Sequence, residues 1–271
     1  MNTEFEYRHF LELIRLGHIE SAFDYRANFT PDYLYKFYWL TDNPNDDNNK
    51  KRFYSLKNNY IWFANPGQQN DPYEFHGIYW DEEKLLSLGV RQESIRHAKE
   101  ILFNQIALSA FTSNMNDNLP MWAHYANNHH GYCVKYKVGN KRTFRNVIYG
   151  EQRVSVTNTF AHFINNGIRG IKHNDIDFFK QAEKDSSVLQ DKFFYKHISW
   201  SYENEYRALY PFDGKTKGLN VPIDELGLIV EEIYSGINCS SENKIELSQI
   251  ASVLGVPYKE CKINNVDFTV F

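Results

Sequence analysis

The sequence predicts an α+β fold, with a mixed, mainly antiparallel central sheet and flanking helices. Residues 1–30 form a helical extension and residues 31–271 a single domain. Three observations predict it. β-Prone runs bounded by turn residues recur along the chain, and stretches with helical apolar spacing fall between them without a regular strand–helix alternation. Aromatic residues make up 16% of the chain, with 19 Tyr and 20 Phe, and such rings favour sheet surfaces. A chain of 271 residues with no internal repeat and no linker can bury one substantial core.

From Glu4 to Arg26 the apolar residues fall at helical spacing, predicting one or two helices joined at Leu16-Gly17-His18. Tyr33 to Tyr38 is a short β-prone run. Asp42 to Asn49 is so polar that it reads as a mobile loop with no means of packing. Lys57-Asn58-Asn59 reads as a turn feeding a strand over Tyr60 to Ala64, which Asn65-Pro66-Gly67 breaks. Asn70-Asp71-Pro72 is a helix-start signature, with Asp71 as cap and Pro72 at the first helical position. A helix follows over Asp81 to Asn104, then a buried strand over Gln105 to Phe111 and strands at Gly131 to Tyr136 and Asn146 to Tyr149. Val154 to Ile198 reads as mostly helical. Trp200 to Tyr210 alternates as a strand, with Ser201, Glu203, Glu205 and Arg207 on one face. The chain then offers a strand at Leu228 to Ile233, a helix from Asn243 to Leu254 stopped by Gly255, and strands near Pro257-Tyr258 and over Val266 to Phe271.

The formal net charge is −4, so the molecule as a whole has no basic field and general nucleic-acid binding is not expected; a local basic groove stays open. Cys133, Cys239 and Cys261 are too few and too dispersed for a disulfide framework, and an odd number fits a reducing, cytoplasmic setting. The N-terminus is acidic where a signal peptide is basic, and no apolar run approaches bilayer-spanning length, so no membrane partner is expected. P-loop, dinucleotide-fold and nucleophile-elbow motifs are all absent from the sequence.

The chemically capable residues bunch into three cassettes. They are Trp62 to Pro66 running on to Asn70-Asp71-Pro72-Tyr73-Glu74, then Met121-Trp122-Ala123-His124-Tyr125, then Trp200 to Arg207. On a strand, Glu203, Glu205 and Arg207 share one face at steps of roughly 7 Å, so the arginine can hold one carboxylate while the other faces a ligand. On a helix, Glu203 and Arg207 would instead form a solvated i,i+4 ion pair. His124 suits donation to a ribose or phosphate oxygen, or to a backbone carbonyl. It forms no zinc-binding pattern with His129 and His130, so no metal is expected. Tyr125 can stack on a flat ring or pack in a core.

In order and spacing, Leu34 to Phe37, Trp62 to Glu74, Ala110 to Ser113, Met121 to Cys133 and Tyr202 to Arg207 resemble a bacterial family known as domain of unknown function 2971. That resemblance carries no activity. The layout is also distantly similar to ADP-ribosyltransferase-like proteins, which implies NAD as substrate and carboxylate stabilisation of an oxocarbenium-like ribose. On this footing Glu205 is the carboxylate, Glu203 or Arg207 orients it or a phosphate, and Trp122 or Tyr125 stacks on the nicotinamide, with Tyr35-Lys36 nearest the place of a first-strand basic residue. Catalysis is thus expected from Glu205, Glu203 and His124. Substrate binding is expected from Tyr35, Lys36, Trp62, Asn70, Asp71, Trp122, Tyr125 and Arg207. The biological expectation is a toxin or phage-defence effector, with a protein target as a further partner. Two alternatives stay open: a non-catalytic module holding a nucleotide or partner in the same aromatic pocket, and metal-independent phosphodiester hydrolysis by His124 with Asp71 or Glu74.

Overall fold

The computed structural model of the chain describes residues 5–43, 45–66, 73–116 and 118–263. It opens on α1 (Tyr7–Leu16) and α2 (Ile19–Ala27), which meet around Phe10, Ile14 and Ala22. Gly17 takes φ 87° between them, and the amides of Gly17 and His18 close the first helix on the carbonyls of Ile14 and Leu13. Then come β1 (Tyr33–Tyr38), α3 (Asp47–Lys57), β2 (Tyr60–Ala64), β3 (Ile78–Tyr79), α4 (Glu82–Ser87), α5 (Gln92–Phe103), β4 (Ile106–Thr112), α6 (Leu119–Tyr125) and β5 (Tyr132–Val138). The second half supplies β6 (Arg145–Asn146), β7 (Ile148–Gly150), β8 (Val154–Ser155), α7 (Thr157–His173), α8 (Ile176–Leu189) and β9 (Tyr195–His197). It closes with β10 (Glu205–Pro211), β11 (Gly218–Pro222), β12 (Leu228–Ser235), α9 (Ser241–Leu254) and β13 (Tyr258–Glu260).

The main sheet has the order β11-β2-β4-β1-β5-β12-β13, with β10 lying along β4 and β6 along β10. Its pairs are antiparallel except β12 with β13, so the fold is the mixed, mainly antiparallel α+β arrangement that the sequence predicts. One irregularity positions the site. β10 covers one edge of β4 along its whole length, while β1 and β2 share the opposite edge. Each meets β4 at a single register position, Tyr35 with Thr112 and Ala64 with Leu108. The sheet therefore splays between β1 and β2, and α3 packs against β2 and α9 beside the opening.

The largest core is built from Leu34, Ile61, Phe63, Phe111, Tyr136 and Ile233, joined by Leu247 and Ile250 of α9. A second core, with Leu85, Ile95, Leu102, Phe160 and Ile164, holds α4, α5 and α7 together. A third, with Phe37, Met121, Trp122, Cys133 and Tyr234, seats α6 on β1 and β5. The helical extension is fastened by Arg26, 1% exposed, whose Nη1 donates to Asp191 Oδ1 at 2.8 Å while Tyr7 donates to the other carboxylate oxygen. Among the described residues no helix is long and apolar enough to cross a membrane.

Several expectations are corrected. The polar run over Asp42 to Asn49 is no packing-free loop. The Asp46 carboxylate accepts from the amides of Asn48 and Asn49 as the cap of α3, and the buried Asn49 side chain bonds both backbone groups of Thr41. The single helix over Asp81 to Asn104 divides into α4 and α5 at Gly89, where φ is 81°. Asn146 to Tyr149 forms two short strands, β6 and β7, rather than one. The stretch to Ile198 ends in a 3₁₀ turn, Gln190–Phe194, and in β9. The strand expected from Trp200 starts only at Glu205, because Ile198–Glu203 is a 3₁₀ helix. β11, which the sequence does not announce, pairs along β2. Asn70-Asp71-Pro72 and Val266 to Phe271 lie outside the described residues.

Candidate functional site

β10 carries Glu205 and Arg207 on one face, and both are buried. Arg207 grips the carboxylate with two donors, Nε to Oε1 at 2.7 Å and Nη2 to Oε2 at 2.9 Å. Its remaining donors reach Glu74 Oε1 at 2.7 Å and the Phe193 carbonyl at 2.6 Å. Lys196, from the middle of β9, sets its ammonium 2.6 Å from Glu203, 3.4 Å from Glu205 and 3.5 Å from Glu74. Tyr125, at the end of α6, donates its hydroxyl to the other oxygen of Glu203.

The joint between Glu203 and Glu205 makes this possible. On a continuous strand Glu203 and Glu205 would leave the backbone side by side on one face, roughly 7 Å apart. Asn204 takes a left-handed conformation, φ 43°, between the 3₁₀ helix and β10, so Glu203 arrives from outside the strand. Beside Glu74, Phe75 is also left-handed at φ 62°, and its ring lies 5.4 Å from the Arg207 guanidinium carbon. A bulky side chain in this region is strained by roughly 1–2 kcal/mol.

The two neighbouring carboxyls are driven apart in acidity. Burial, and then the negative charge of Glu205, raise Glu203 from 4.5 to about 7. Burial alone would raise Glu205 too, but Arg207 and Lys196 overcome it and hold that carboxyl well below its usual range. Lys196 stays charged because Glu205, Glu74 and Glu203 outweigh its burial. Nearby Lys36 is pushed down to about 8 by burial, and its ammonium donates to the Ala110 carbonyl at 2.9 Å. Buried ion networks are seldom worth more to stability than apolar side chains of equal volume. Two adjacent carboxyls with divergent proton affinities suit acid–base chemistry.

These groups line a cavity of about 140 Å³, walled by Tyr35, Phe37, Tyr125 and Trp200. A space of this order accommodates a single small ring. Across Lys36, Phe37 and Tyr125 it adjoins a wide groove of about 980 Å³ at the splay of β1 and β2. Behind Lys196 and Trp200 lies another hollow, of about 350 Å³, bordered by His76, Arg153 and His197.

Of the residues singled out in the sequence, the cavity gathers Tyr35, Lys36, Tyr125, Glu203, Glu205 and Arg207. His124 and Trp62 stand apart from it, on the groove, and His124 is bonded to the Tyr202 hydroxyl at 3.0 Å. Trp122 is fully buried, edge-on to Phe37 and stacked on His129, and lines neither space, so the stacking surfaces are Tyr125 and Trp200. Asn70 and Asp71 lie outside the described residues. Sequence reasoning passed over Lys196, whose alternating Tyr195-Lys196-His197 context sits in a stretch read as helical. Among the described residues no group of three or more His, Cys, Asp and Glu side chains is placed to hold a metal ion.

No curated protein and no solved structure matches the chain. Residues 121–208, which carry Tyr125, Lys196, Glu203, Glu205 and Arg207, match the model of the family described as Protein of unknown function (DUF2971).

Proposed function

We propose that this chain is an ADP-ribosyltransferase-like enzyme that cleaves the bond between nicotinamide and ribose in NAD. One observation carries the reading: a ring-sized cavity ends on two carboxyls of opposite proton affinity and adjoins a cationic groove suited to phosphates. The nicotinamide ring would lie between Tyr125 and Trp200. As the glycosidic bond breaks, its electron pair passes to the ring nitrogen and neutralises the ring's positive charge. An incoming hydroxyl or water oxygen adds to ribose C1′ and yields its proton to Glu203, whose affinity near neutrality suits a general base. The sequence pattern gives the reacting role to Glu205, but both of its oxygens are held by Arg207. We therefore assign proton transfer to Glu203 and give Glu205 the fixed negative charge that favours the oxocarbenium-like ribose. His124, at the groove, is left to contact ribose or phosphate oxygens.

The three thiols are free and buried, in keeping with a cytoplasmic setting. Consumption of NAD there would suit a bacterial toxin or phage-defence effector, with a protein as one class of acceptor. The test is to incubate the purified chain with NAD and follow free nicotinamide, with Glu203→Gln and Glu205→Gln in parallel. Release by the wild type that is lost in Glu203→Gln is expected. Absence of release by the wild type overturns the reading, and thermal stabilisation by NAD without release would favour the non-catalytic nucleotide- or partner-binding module.

A further inference from the structure

We propose that the groove beside the cavity is a binding site for single-stranded nucleic acid. The groove lies where β1 and β2 diverge from β4, with α3 as one wall and the end of β1 with the middles of β2 and β11 as the other. Its lining includes five cations, Lys36, Lys50, Lys51, Arg52 and Lys217, and among the described residues no Asp or Glu. In a chain with more acidic than basic residues, that is a marked local reversal of charge. Lys51 and Lys217 make no ion pair among the described residues, and Lys50 meets Asp47 at 3.7 Å with both side chains well exposed. Such cations are available to phosphates at little desolvation cost.

Aromatic faces lie among these charges. Trp39 is 43% exposed, Tyr54 62% and Trp62 45%, and all three line the same groove. Lys50 and Tyr54 stand one turn apart on α3, so a cation and a ring project from one side of the helix. Trp62 and Lys217 come from the facing β2–β11 pair, Lys217 just ahead of β11. Rings alternating with cations along a groove form the surface that stacks unpaired bases while following a phosphate backbone. A duplex keeps its bases stacked on one another and leaves these rings unused. Several platforms and cations on two walls exceed what one mononucleotide can occupy. The net charge of −4 excludes a molecule-wide basic field, and the groove supplies a local one.

The groove shares Lys36, Phe37 and Tyr125 with the carboxylate cavity, so a bound strand passes the cavity mouth. A strand in this place would serve as the acceptor substrate, and that one clause rests on the NAD reading; the binding itself does not.

The experiment is fluorescence anisotropy of the full chain with labelled dT12 and U12 strands and a 12-base-pair duplex, in 50 and 200 mM salt. Either single strand should bind more tightly than the duplex. With three or four phosphates contacted, affinity should fall roughly 20- to 50-fold between the two salt concentrations. Trp62→Ala should weaken binding at least about fivefold through lost stacking, and Lys51→Ala should flatten the salt dependence. Lys172→Ala, on an exposed site of α7 remote from the groove lining, should leave affinity unchanged. Thermal melts of each variant establish that it is folded. Duplex binding as tight as single-strand binding, affinity unmoved by both Trp62→Ala and Lys51→Ala, or no binding at 50 mM salt would each overturn the proposal. Strand binding without nicotinamide release would sink the NAD reading alone, and release without strand binding would sink the groove alone.

Discussion

Replacing Glu203 by Gln tests the electrostatics of the site without reference to any substrate. Glu203 is 2% exposed, and its proton affinity rises from 4.5 to about 7 on folding because burial and the charge of Glu205 both disfavour its ionised form. A carboxyl with a raised folded-state affinity contributes stability that is fully present below about pH 4.5 and is lost as the pH climbs through about 7. A change of this size is worth about 3 kcal/mol. Gln keeps the shape, can accept from Lys196 and can donate to the Tyr125 oxygen, so the variant carries no buried orphan. Urea denaturation of both proteins at pH 5 and pH 8.5 should therefore show the variant gaining about 3 kcal/mol on the wild type between the two. Parallel stability profiles would refute the assignment of a raised affinity to Glu203, and a variant that loses ground at high pH would reverse its sign.

Glu205→Gln should behave in the opposite sense. It leaves the buried Arg207 with only Glu74 as charged partner, destabilises the fold by about 3–5 kcal/mol at pH 7, and the deficit should shrink as the pH falls below 4.5 in a denaturation series. Tyr125→Phe removes the hydrogen bond that favours ionised Glu203, so the midpoint of nicotinamide release should move to higher pH; an unmoved or acid-shifted midpoint counts against Glu203 as the base. Arg26→Ala strands the fully buried Asp191 with Tyr7 and should cost about 3–5 kcal/mol in urea, whereas Glu20→Ala, which breaks the exposed contact to Arg142, should change stability by less than about 1 kcal/mol.

Elements whose residues declare their own burial were legible. Tyr60–Ala64 and Leu228–Ser235 carry β-prone apolar residues between turns, and both form strands of the main sheet. The polar first turn of α3 was not legible as a packed element, because Asn49 is buried by bonding the backbone of Thr41, a contact that the run itself does not reveal. β11 ends in Pro222 and gains strand character from pairing with β2, which a local pattern cannot reveal. In the site, Glu205 and Arg207 share a face as alternation predicts, whereas Glu203 reaches it through the turn at Asn204. Lys196 is an ordinary lysine in sequence. It becomes a site residue only when long-range folding sets Glu74 and Glu203 around it.

The cavity floor has a consequence for the timing of activity. Glu74 leaves the ribosome long before Lys196, Glu203 and Arg207 exist, so the early part of a growing chain holds a carboxylate without its cations. The floor closes only when β10 lies down along β4, a strand made about a hundred residues earlier. Prematurely ended chains that stop short of β10 thus lack Glu205 and Arg207, and on the proposed reading they would have no means of cleaving NAD during most of the protein's own synthesis.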